Sequence, residues 1–194
     1  MRLDPVLVTA PAAEPIALAD VKAHLRMPEV TDHDDLLEAL IDAAIAHLDG
    51  FTGILGRCLI DQTWRESWND FPSDCIPLSL APVSSVTYVK YYDTSNVQQT
   101  YSAANYSLHK RAGTYHVVLA DGAVWPAVYA RPDAVQITYV AGYGAAASAV
   151  PAAIVHALKL HVERLFEGAN WPDASAHIAA EQALLLPFRR IEGC

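Results

Sequence analysis

Three hydrophobic rhythms follow one another along the chain. Leu18, Val21 and Leu25 fall on one face at helical spacing. The pattern stops before Pro28, because a residue preceding proline is pushed out of helical backbone. This predicts a short helix over residues 17–27. Leu36, Leu37, Leu40, Ile41, Ala44, Ile45 and Leu48 then recur at three and four, a broad apolar stripe on a longer helix. Its start is predicted at Thr31 to Asp35, where a capping side chain and acids in the first turn meet the helix dipole; Gly50 and Gly53 close it.

From Leu59 to Tyr143 the period changes to two. Residues 63–68, 86–92, 115–119 and 135–140 read as strands rich in β-branched and aromatic side chains. Shorter strands are expected at 76–80 and 106–109. Prolines, glycines, Asp93 and Asn96 mark the turns. No connection is long enough for a crossover helix, so an antiparallel meander is expected. Helical spacing returns with Ile154, Val155, Leu158, Val162, Leu165 and Phe166, after Pro151 and up to Gly168. A last amphipathic segment runs from Ser175 to Leu186, before Pro187.

The fold class expected is α+β: helices from both ends packed into a core, with an inserted antiparallel β subdomain. As one domain over 1–194, it has a Pro-rich extended arm at 1–16 and helices over 17–58. The β insert spans 59–143, the C-terminal helices 151–186 and a tail 187–194.

Composition narrows the function. Hydrophobic residues make up 53% of the chain and charged ones 18%, which is a folding composition. No apolar run reaches membrane-spanning length, and Asp4 and Pro5 stand where a signal peptide has a basic start. Cys58, Cys75 and Cys194, without CxxC spacing, make neither a disulfide framework nor a zinc quartet. The net charge is −9, and it lies wholly in residues 1–75, which hold 14 acids and 5 bases. Wrapping nucleic acid requires clustered Lys and Arg, so this balance speaks against it. An acidic surface beside DNA instead lets it pass.

Candidate chemistry is sparse. Asp32, His33, Asp34 and Asp35 crowd four metal-capable side chains into one helical turn, and a metal-dependent hydrolase built on Asp32–Asp35 is one alternative reading. Acids at a helix start also serve the dipole alone. His156 and His161 are five apart and do not share a helix face as an i, i+4 pair does, so they and Glu163 make a poor ligand set. Gly142-Tyr143-Gly144 resembles a phosphate loop but lacks its lysine. Ser84 and Ser85 have no activating histidine nearby in sequence. Four Trp and nine Tyr lack interleaved Lys and Arg, which favours packing over base stacking. No enzyme, cofactor or metal is expected from these residues.

Several stretches carry a likeness. They are residues 8–15 followed by Leu18 to Arg26; Leu48 to Gly53 running on through Gly56 to Trp64; Trp125-Pro126, residues 131–135 and residues 141–144; and the ending Ala183 to Arg189. In this order they resemble tailed-phage head–tail connector (adaptor) proteins, as also found in prophages and gene transfer agents. Where relatives often cap the first helix with Thr or Ser, this chain has Ala17. The resemblance implies a structural, non-enzymatic subunit of a virion or phage-like particle, at the head–tail junction. Roughly twelve copies would form a closed ring under the portal, extend a channel through which DNA passes without specific binding, and receive a tail-side stopper protein. A stopper or tail-completion protein of the same particle is the alternative. On this reading Asp34, Asp35 and Glu38 face the channel. Leu185, Phe188, Arg189 and Arg190 form a C-terminal docking segment, since aromatics and arginine are enriched at interface hot spots.

Overall fold

A computed structural model describes residues 1–73, 75–168 and 171–189. The chain is α+β and divides into two compact units. One comprises Met1–Ala12 and Asp61–Gly142, the other Ala13–Ile60 and Tyr143–Cys194.

The first unit is built from strands. They are β1 (Val6–Thr9), β2 (Gln62–Trp68), β3 (Cys75–Leu78), β4 (Val83–Tyr92), β5 (Gln98–Tyr101), β6 (Tyr106–Arg111), β7 (Thr114–Leu119) and β8 (Val135–Ala141). All pairings are antiparallel, but the order is not a simple meander. A five-stranded sheet runs β1-β2-β8-β4-β5 and a three-stranded one β3-β7-β6. β8 thus returns from late in the sequence to the middle of the larger sheet. Being flanked on both sides, it buries Val135, Ile137, Thr138, Tyr139 and Ala141 almost continuously. Residues 1–16, expected as an arm, instead supply β1, an edge strand whose Val6, Leu7 and Val8 stay about half exposed.

β2 buries Gln62, Trp64 and Glu66 on alternate positions. Glu66 is fully buried, and its Oε1 accepts from Tyr139 Oη at 2.6 Å and from the Ser79 backbone N–H at 2.7 Å. Arg2 Nε lies 3.7 Å from the other oxygen. A carboxylate without such partners would be costly to bury.

The second unit is helical: α1 (Leu18–His24), α2 (Asp34–Leu48), α3 (Ala152–Glu167) and α4 (Ala174–Leu185). Its core joins Val21 of α1, Leu37, Ile41, Ala44 and Leu48 of α2, Ile154, Leu158 and Val162 of α3, and Leu185 of α4. The expected stripe on α2 is narrower than its hydrophobic letters suggest, since Leu36 is 50% exposed. α2 begins at Asp34, within the expected stretch, but with His33 as its cap and no side-chain capping bond. α1 likewise starts after Ala17 without a side-chain cap. α4 buries Glu181 and Leu185, with Leu184 partly buried against the same core. Among the described residues no helix is long and apolar enough to cross a membrane.

Candidate functional site

The C-terminal segment leaves α4 through a 3₁₀ turn, Leu186–Phe188. Leu185 lies four residues beyond Glu181, on the helix face turned inward, and is 1% exposed in the chain's own core. Phe188 packs against the same core, and its carbonyl accepts from Arg57 Nε at 2.5 Å. Leu186 is 67% exposed, and Arg189 is exposed beside it. Arg190 lies outside the described residues. The open apolar side chain of this segment is therefore Leu186, not Leu185: the leucine block wraps the helix axis, and only one face meets the core.

The acids of α2 divide in two. Asp34 is half-buried, with Oδ1 2.8 Å from the Nζ of buried Lys22 on α1. Asp35 and Glu38 are exposed. Asp32 and His33 are also exposed, and the His33 ring rests edge-on against Phe166 at 5.6 Å. Asp34 thus fastens α1 to α2 instead of joining Asp32 and Asp35 around an ion.

The helical unit gathers a different polar cluster, one that linear spacing conceals. His161 on α3 is buried, and its Nδ1 lies 2.8 Å from Oε1 of Glu181 on α4. His47 on α2 stacks on the His161 ring at 4.8 Å between centroids and 28° between planes. Arg164 on α3 places Nη2 3.2 Å from His161 Nδ1 and Nε 4.0 Å from Glu181 Oε2. His47, Arg164 and Glu181 line a cleft of about 540 Å³ together with the apolar Ile54, Ile178 and Leu185. Burial of its ring, and then the neighbouring His161, hold His47 below the ordinary histidine value.

A second cluster joins α1, α3 and α4: Glu163 Oε2 lies 2.9 Å from His24 Nε2 and 3.2 Å from His177 Nε2. His156 meets His24 edge-on at 5.9 Å. His156 and His161 therefore serve different clusters, as their angular separation requires.

The other sequence candidates have structural partners. The Gly142 N–H donates to Pro82 O at 2.9 Å. A Cβ at Gly142 would sit 2.4 Å from the backbone N of Asp61, so close approach of two backbones requires glycine there. The hydroxyl of Ser84 donates to Val140 O at 3.3 Å.

Likeness to known proteins runs through both units. A family model described as "Phage gp6-like head-tail connector protein" matches residues 15–115, slightly more than half of the 194-residue chain. No curated protein matches the chain. A chain in the solved structure "Virion of native gene transfer agent (GTA) particle" superposes with a TM-score of 0.78 at 24% identity, covering 99% of this chain and 98% of that one. That likeness speaks to the fold. A chain in "Neck of empty GTA particle computed with C6 symmetry" gives a TM-score of 0.78 at 25% identity, with 99% and 98% covered. One in "Neck of native GTA particle computed with C12 symmetry" gives 0.70 at 25%, with 97% of each chain covered.

Proposed function

The chain belongs to the phage gp6-like head–tail connector family, and from that premise we propose that it is a non-enzymatic ring subunit in the neck of a gene-transfer-agent or phage-like particle. In this reading about twelve copies close by heterologous contacts. The ring docks under the portal on one side and receives a stopper protein on the other. The observation that carries the reading is the likeness, over nearly the whole of both chains, to a neck chain in a particle computed with C12 symmetry.

The acids of α2 fit a channel role. Asp35 and Glu38 are exposed and have no structural task among the described contacts that would fix them elsewhere. Each copy carries a net charge of −9, so a ring of such chains creates a negative field at its centre that keeps duplex DNA sliding. Asp34, held by Lys22, contributes charge but is not free to move. The C-terminal turn offers Leu186 and Arg189 to a neighbour, with Phe188 anchoring it to the helical core.

Mixing the purified chain with its portal and imaging the mixture by negative stain tests this reading. A second ring stacked on the portal ring is expected. Portal rings that remain bare at every salt concentration overturn the portal contact. Binding to the tail-side protein alone assigns the chain to the stopper role instead.

A further inference from the structure

Three helices of the second unit meet at His47, His161 and Glu181, and nothing in a connector's passive role calls for that donor set. One ligand atom from each lies within 4.8 Å of the others, the one such group among the described residues. His161 and Glu181 are each 6% exposed, while His47 opens onto the cleft. Donors that share a tetrahedral zinc at about 2.0–2.2 Å stand roughly 3.3 Å apart. His161 Nδ1 and Glu181 Oε1, at 2.8 Å, are already near that separation. The stacked His47 ring already brings a ligand nitrogen within 4.8 Å of both.

We propose that His47, His161 and Glu181 bind one divalent transition-metal ion of the zinc class, tying α2, α3 and α4 together. Two imidazoles and one carboxylate are the borderline donor set that zinc, cobalt and nickel take and that calcium and magnesium do not favour. The cleft supplies the entry path and leaves a fourth position for water. Glu181 and Leu185 are the residues α4 buries fully, so an ion on Glu181 adds a bond at the inward face of that helix. Imidazole must be neutral to ligate, so zinc binding weakens as the pH falls.

Arg164 is the built-in competitor. Its guanidinium stands beside His161 and Glu181 and balances the carboxylate's charge. Its side chain is 25% exposed at the cleft, so an arriving dication displaces it toward solvent. Removing its charge therefore strengthens metal binding.

Zinc chloride is titrated into the chelator-treated, full-length chain by calorimetry, and melting is recorded with and without the metal, with magnesium as control. One zinc per chain, a rise in melting temperature and no response to magnesium are expected. His47→Ala is expected to weaken zinc at least tenfold and to abolish the zinc-dependent rise in melting temperature. Arg164→Gln is expected to tighten it. His177→Ala, which alters the separate Glu163 cluster, is expected to leave it unchanged. The absence of stoichiometric binding, or binding that survives His47→Ala and is lost in His177→Ala, overturns the proposal.

Discussion

The two units bury charge in different ways. In the strand-built unit Glu66 is the buried charged residue among those described, and it is met by a tyrosine hydroxyl and a backbone N–H. Those donors keep their protons across ordinary pH. In the helical unit Glu181 is met by His161, with His47 and Arg164 alongside. Histidine changes charge in the physiological range and ligates metals. The first arrangement is a fixed rivet between β2, β8 and the segment around Ser79. The second is built from side chains that are themselves metal ligands.

Removing the rivet should have the largest effect. Glu66→Ala removes the buried acceptor shared by the Tyr139 hydroxyl and the Ser79 N–H, and a loss of about 3–5 kcal/mol is expected in urea unfolding. Leu185→Ala probes the helical unit at the one apolar anchor of α4. A loss of about 3 kcal/mol is expected from its burial. A larger loss from Leu185→Ala than from Glu66→Ala would reverse the expected order. Deleting residues 184–194 should lower the melting temperature for the same reason, because the deletion removes Leu185 and Phe188 from the core. His177→Ala breaks a half-exposed pair with Glu163 and should cost about 0.5 kcal/mol.

The smallest expected effect is a pH response in the strand-built unit. Burial, and then Arg111, hold His116 below the ordinary value of 6.5. The unfolded chain therefore binds the proton at higher pH than the folded one. This contribution is fully present above about pH 6.5 and declines as the pH falls through that value. His116→Gln should flatten the melting temperature between pH 7 and pH 5 slightly. A steeper slope in the variant would contradict the sign.

Much of this framework was legible in the letters. Long runs with one period, such as residues 135–140 and 154–166, emerge as β8 and α3 nearly as spaced, since packing on one face enforces the same period that reveals it. β5 was not, because Gln98-Gln99-Thr100 shows no apolar alternation; its pairing follows from the turn in which the Asp93 carboxylate accepts from the backbone N–H of Ser95 and Val97. The position of β8 between β2 and β4 was hidden as well, because sheet order depends on contacts across some seventy residues. Glu66 did leave a signal: in Thr63-Trp64-Arg65-Glu66 it shares the inward face with Trp64, and a charge on an apolar face marks a buried partner. The His47, His161 and Glu181 cluster left none, as its members come from three helices and meet only in space.

If this chain is a ring subunit of a particle neck, its copy number on the portal is fixed by the ring. Native mass spectrometry of the complex formed between the purified chain and its portal gives that count. Twelve copies on one portal ring is the expected mass. A complex with one or two copies per portal ring, or a chain that stays free while the portal ring is intact, would contradict the account.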